Sequence, residues 1–130
     1  MEPHQIAKIS EHSHQAAFFC WVSQQINAGC WPLEWLHAIP NGGERNKIQA
    51  GKLKAEGVRA GVADTFLPFP HAGFSGLYLE FKKPGFETRK NGGLSEKQIR
   101  FKDFVEKVGF RYKIAYNYLQ AIEITIEYLS

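Results

Sequence analysis

A chain of 130 residues, 44% hydrophobic and 22% charged, fits one compact domain with a real core, is too short for two independent ones, and is not disordered. Sixteen Lys and Arg against thirteen Asp and Glu give a formal +3, which is compatible with a nucleic-acid partner without demanding one. Two cysteines outside any C-x-x-C pair argue against a disulfide framework or zinc ribbon, and the lack of a signal-like N-terminus or of ~18 consecutive apolar residues leads us to expect a soluble, cytoplasmic protein with no membrane partner.

Ser10 is a candidate N-cap, followed by Glu11, Gln15, Phe18 and Val22 at steps of four, three and four, one helical stripe that carries Glu11 on its inward face. A carboxylate there either favours the positive end of the helix dipole or serves a site, and periodicity leaves both open. Leu33 to Ile39 reads as a strand stopped by the turn cluster Pro40-Asn41-Gly42-Gly43. Asn46 to Glu56 reads as a helix ended by Gly57. Thr65-Phe66-Leu67 is a short apolar strand, and Gly76 to Lys83 is a second. In the latter, the period of two sets Leu77, Leu79 and Phe81 on one face and Tyr78, Glu80 and Lys82 on the other.

Pro84 to Gly93 is a loop with Glu87, Arg89 and Lys90, expected to be mobile without DNA. Ser95 and Gln98 form the Ser-x-x-Gln pattern of a capping box, while Gln98, Phe101, Val105 and Val108 also share a stripe. Gly109 ends that helix, and Phe110 to Tyr116 is a strand. Asn117 to Ser130 alternates like a strand at Ile122, Ile124, Ile126 and Tyr128, yet Leu119, Ile122, Ile126 and Leu129 follow a helix stripe. Its length and the Asn117 cap favour the helix, which leaves Ile124 and Tyr128 as apolar surface for a second subunit. The resulting order fits an α/β fold with a small mixed β-sheet flanked by helices.

The chemistry concentrates at Gly61-Val62-Ala63-Asp64 and Glu80-Phe81-Lys82. Two carboxylates can hold a hard divalent cation, Mg²⁺ or Mn²⁺, and a lysine two residues past the second can sit beside the water or phosphate that the cation activates. A hairpin-like return would bring Asp64 beside Glu80. Each piece alone has an ordinary explanation: Glu-x-Lys as a surface pair, Asp64 as a turn residue. Together they point to metal-assisted phosphodiester cleavage.

The chain resembles the virus-type replication-repair nuclease (VRR-NUC) family, a branch of the PD-(D/E)XK nucleases, through segments spread over most of its length. These are Glu11 with Gln15, Ala38-Ile39-Pro40-Asn41-Gly42-Gly43 with Arg45, Lys54 with Gly57, Gly61-Val62-Ala63-Asp64, Glu80-Phe81-Lys82, and Leu94-Ser95 with Gln98. Ala63 stands where the family usually has proline, which loosens the turn and keeps the acid. The resemblance implies a restriction-endonuclease-like fold and a helical C-terminal segment. It also implies Asp64, Glu80, the Phe81 carbonyl and Glu11 as ligands of Mg²⁺ or Mn²⁺, Lys82 as catalytic cation, and Gln98 as the residue that orients water or Lys82. Stand-alone members are dimers that cut branched DNA such as Holliday junctions, so a homodimeric resolving enzyme from a phage or mobile-element setting is expected.

Arg45, Lys54, Arg59, Lys83, Arg89 and Lys90, with Lys47, Lys52, Lys97 and Arg100, would supply sequence-independent phosphate contacts. Flap-cutting, nonspecific cleavage and non-catalytic DNA binding are the alternatives. A zinc site from His4, His12, His14, His37, His71, Cys20 and Cys30 matches no usual spacing, and neither G-x-G-x-x-G nor G-x-x-x-x-G-K-[ST] occurs.

Overall fold

The order of elements expected from the sequence is the order found in residues 10–40 and 47–130, which a computed structural model of the chain describes. They are helix α1 (Glu11–Asn27), strand β1 (His37–Ala38), helix α2 (Lys47–Ala55), strands β2 (Thr65–Leu67) and β3 (Leu77–Phe81), helix α3 (Glu96–Lys107), strand β4 (Arg111–Ala115) and helix α4 (Tyr118–Leu129). His4, Arg45 and the 41–43 turn lie outside the described residues.

The sheet runs β1-β2-β3-β4, with antiparallel pairs β1/β2 and β2/β3 and a parallel β3/β4 pair. Parallel neighbours need a crossover, and α3 supplies it. The pleat sorts side chains into two cores. Leu77, Leu79 and Phe81 pack with Phe18 and Val22 of α1 and Ala121 and Tyr128 of α4, and Ala63, Leu94, Val105 and Tyr112 gather Tyr78, Ile99 and Phe101 on the other face.

Several expectations shift. The segment 33–39 is not one strand: Pro32 opens a 3-10 turn over Trp31–Leu33, and Leu33 and Leu36, three residues apart, turn into the core. Only His37 and Ala38 then pair with β2. On α1 the buried residues are His14, Phe18 and Val22, so His14 replaces Gln15 on the stripe. Its Nδ1 accepts from the Tyr118 backbone N–H at 3.1 Å, which joins the starts of α1 and α4.

The C-terminal segment is a helix, capped by the Asn117 side chain accepting from Gln120 N–H at 2.9 Å. Its inward residues are Ala121, Thr125 and Tyr128, while Leu119 and Ile126 are exposed. The expected stripe is therefore rotated, and Tyr128 is not free surface, because its hydroxyl donates to the Phe69 carbonyl at 2.7 Å. Val108, expected on the α3 stripe, is exposed at the cap of that helix. Segment 84–93 is folded on itself as two 3-10 turns over Phe86–Thr88 and Lys90–Gly93, pinned by the Tyr116 hydroxyl donating to the Gly92 carbonyl at 2.8 Å. Among the described residues no helix is long and apolar enough to cross a membrane.

Candidate active site

The β2/β3 ladder ends at the pair Thr65↔Leu79, so the next two residues, Asp64 and Glu80, face each other across its open end. Backbone amides left there need acceptors. The two acids supply them reciprocally: Asp64 N–H donates to Glu80 Oε2 at 3.2 Å, and Phe81 N–H donates to Asp64 Oδ2 at 2.8 Å. Sequence alternation thus places Glu80 on the α3 side of β3, and register places Asp64 against it.

Helix α3 closes the arrangement. Ser95 caps it through a complete capping box, with Gln98 N–H donating to Ser95 Oγ at 3.2 Å and Ser95 N–H donating to Gln98 Oε1 at 2.9 Å. The same Gln98 Oε1 accepts from Lys82 Nζ at 2.9 Å, while Gln98 Nε2 donates to Glu80 Oε1 at 2.9 Å. The two readings of Gln98 do not compete, because one carboxamide serves both. Gly61 permits this approach: at φ +93°, an added Cβ would stand 2.8 Å from the Lys97 backbone in the first turn of α3.

Glu80 is only 2% exposed. Burial, then the neighbouring Asp64, pushes its carboxyl up to about 9, against the opposing pull of Lys82. Glu11 shares the face of α1 that carries His14, Phe18 and Val22, but as the first helical residue it overhangs the core and stays exposed. Its carboxyl is also raised, by burial against its neighbours and then by Asp64, with Lys82 pulling the other way.

Asp64, Glu80, Lys82 and Gln98 form the floor of an open cleft of about 1070 Å³, with Glu11 on its border. Lys54, Arg59, Lys97 and Arg100 also line it. Lys83, Arg89 and Lys90 do not: they are exposed on and before the 84–93 turns, where the Arg89 guanidinium lies 3.6 Å over the Phe86 ring. Among the described residues no three His, Cys, Asp or Glu side chains cluster to hold a metal, Glu11 with the two central acids included.

Sequence reading missed the cleft's apolar wall, which is Phe101 and Phe104 of α3 facing Ala50 and Leu53 of α2. The spacing Lys97, Arg100, Phe101, Phe104 is one helix face and would have revealed it. Tyr112 was also missed. It lies beneath the site at 3% exposure, its hydroxyl has no hydrogen-bond partner among the described residues, and burial followed by the Glu80 charge drives its pKa upward.

No family model matches this chain, and no curated protein matches it. A solved structure described as a "VRR_NUC domain protein" superposes with a TM-score of 0.74 at 22% identity, covering 93% of this chain and 88% of that one. The chain therefore has the fold of that VRR_NUC domain protein.

Proposed function

We propose that this VRR-NUC fold is a metal-dependent, structure-specific DNA endonuclease that hydrolyses phosphodiester bonds, acting as a homodimer on branched DNA such as Holliday junctions. One observation carries the reading: Gln98 joins Lys82 to Glu80, and Glu80 accepts from the Asp64 N–H, in a cleft also lined by Lys54, Arg59, Lys97 and Arg100.

The donor set fits a hard cation. Asp64, Glu80 and the Phe81 carbonyl offer only oxygen, and a buried carboxyl raised to about 9 lacks the positive charge that a divalent ion would bring. These three groups would hold Mg²⁺ or Mn²⁺, with Glu11 at the border adding negative charge. Such an ion, when bound, lowers the pKa of water and polarises a phosphoryl oxygen.

Lys82 does what an ammonium can do beside a phosphate: it stabilises negative charge growing on the reacting group. Gln98 holds it there and orients Glu80 with its other end. Lys54, Arg59, Lys97 and Arg100 bind phosphates of the backbone on either side of the cut, and Lys83, Arg89 and Lys90 extend that contact beyond the cleft. Such contacts carry no base readout, so DNA shape selects the substrate and binding weakens with salt. Two symmetric cuts need two copies of the site, which is the reason for the homodimer.

The test compares wild type with Asp64→Ala on a four-way junction, a flap and plain duplex in Mg²⁺ and in Mn²⁺, with the solution mass measured alongside. Expected are paired cuts near the junction centre, their loss in the variant, and a mass twice the 14.8 kDa of one chain. Equal cutting of flap or duplex replaces junction resolution by flap or nonspecific cleavage. Binding without any cutting by either protein makes the chain a non-catalytic DNA-binding module.

A further inference from the structure

Phe104 is 62% exposed and makes no ring contact among the described residues, although it lines the cleft that holds the acids. Its neighbour Phe101 is different: that ring packs edge-on against Tyr78 at 5.0 Å and near Tyr112 at 6.3 Å, as a core residue does. Lys97, Arg100, Phe101 and Phe104 occupy one face of α3, so two cations and an open aromatic ring point along the same wall. Across from them stand Ala50, Leu53 and Val58.

Unkinked paired DNA offers such a ring no base face. A duplex turns its phosphates outward and keeps its base faces stacked inside, so Lys97 and Arg100 would serve it and Phe104 would not. An unpaired nucleotide presents both a phosphate and an open π face, which is the combination this wall matches. Phe104 lies six residues after Gln98, about 9 Å along the helix axis at 1.5 Å per residue. Helical side chains also lean back toward the N-terminus, which brings the ring nearer to the acids.

Resting on the nuclease reading above, we infer that Phe104 is a stacking platform for an unpaired base of the DNA strand in the cleft, close to the bond that is cut. The enzyme then selects DNA that carries unpaired nucleotides at the branch. Among branched DNAs, one with an unpaired nucleotide at the branch engages both the cations and the ring.

The experiment uses the full chain in an Asp64→Asn background, so that binding is read apart from cleavage. The probes are a blunt duplex and the same duplex with a three-nucleotide single-stranded tail, with 2-aminopurine placed at each tail position in turn. Binding should change the fluorescence strongly at one tail position and favour tailed over blunt DNA. Adding Phe104→Ala should abolish that signal and reduce the preference about five-fold or more, and Phe104→Trp should keep both. Thermal unfolding of each variant checks that the exposed position leaves the fold intact. Equal affinity for tailed and blunt DNA, or an unchanged signal in Phe104→Ala, overturns the inference and leaves the nuclease reading standing. A lowered solution mass in Phe104→Ala with unchanged DNA preference also overturns it, because the ring is then a subunit contact. Failure to bind any DNA overturns both readings.

Discussion

The two faces of β3 show how one five-residue strand divides its work. Leu77, Leu79 and Phe81 are buried against α1 and α4, and Phe18 lies over Phe81 with ring centroids 5.7 Å apart. Tyr78 and Glu80, with Lys82 just beyond the strand, face α3, where a carboxyl, an ammonium and a carboxamide share hydrogen bonds. The first face is what apolar burial stabilises. The second holds a buried acid against its ordinary ionisation, an arrangement that opposes stability and suits a reaction.

Replacing adjacent residues on the two faces should break the protein in opposite ways. Lys82→Ala should lower cleavage by about 10²-fold or more with little change in the unfolding midpoint, because the ammonium is the charge placed beside the phosphate. Phe81→Ala should cost about 3–5 kcal/mol of stability by opening a cavity under α1, measured by denaturant unfolding. If Lys82→Ala unfolds the chain as much as Phe81→Ala does, the division between the faces is wrong.

The polar face has a pH signature with a definite sign. Glu80 has a folded pKa of about 9, above its unfolded value near 4.5. Its contribution is fully present below about 4.5 and is lost progressively as pH rises toward 9, since the unfolded chain ionises while the folded one keeps its proton. Without divalent ions the melting temperature should fall over that range, and Mn²⁺ should restore it. Glu80→Gln should remove the pH-linked loss, raise the metal-free midpoint at pH 8 by about 4 °C for each kcal/mol recovered, and abolish the Mn²⁺ effect. A flat midpoint from pH 5 to 8.5 in wild type would contradict the buried-acid account.

Much of this was legible because it depends on periods and spacings. Strand alternation put Glu80 and Lys82 on one face, and the short strand after Asp64 brought that acid to the ladder's end. What misled was the apolar stripe Leu119, Ile122, Ile126 and Leu129, because polar side chains share the buried faces. His14, Thr125 and Tyr128 are buried because each finds a partner: the Tyr118 amide, the Ala121 carbonyl at 2.8 Å and the Phe69 carbonyl. The face of α4 that carries Ala121, Thr125 and Tyr128 turns inward, so Leu119 and Ile126, which hydropathy would place inside, face out. The first strand shortened for a local reason, the turn that Pro32 opens. The cleft wall went unread because Phe104 looks like a core residue in any sequence, and only the fold shows that it is exposed.

The smallest effect tests how tightly the site is tied to the end of a helix. Ser95 touches neither acid, yet its backbone N–H and hydroxyl grip both ends of Gln98, which in turn holds Lys82 and Glu80. Ser95→Ala removes the cap's side-chain acceptor and should cost about 1 kcal/mol of stability. The Ser95 N–H still reaches Gln98 Oε1, so the carboxamide is loosened rather than released. Cleavage should therefore fall only a few-fold, whereas Gln98→Ala, which cuts the link itself, should fall much further at similar stability. Ser95→Thr should rescue both properties, because a threonine hydroxyl caps the same amide. Equal losses of cleavage in Ser95→Ala and Gln98→Ala would mean that the cap sets the position of Lys82 outright, and an unaffected Gln98→Ala would mean that Lys82 needs no such support.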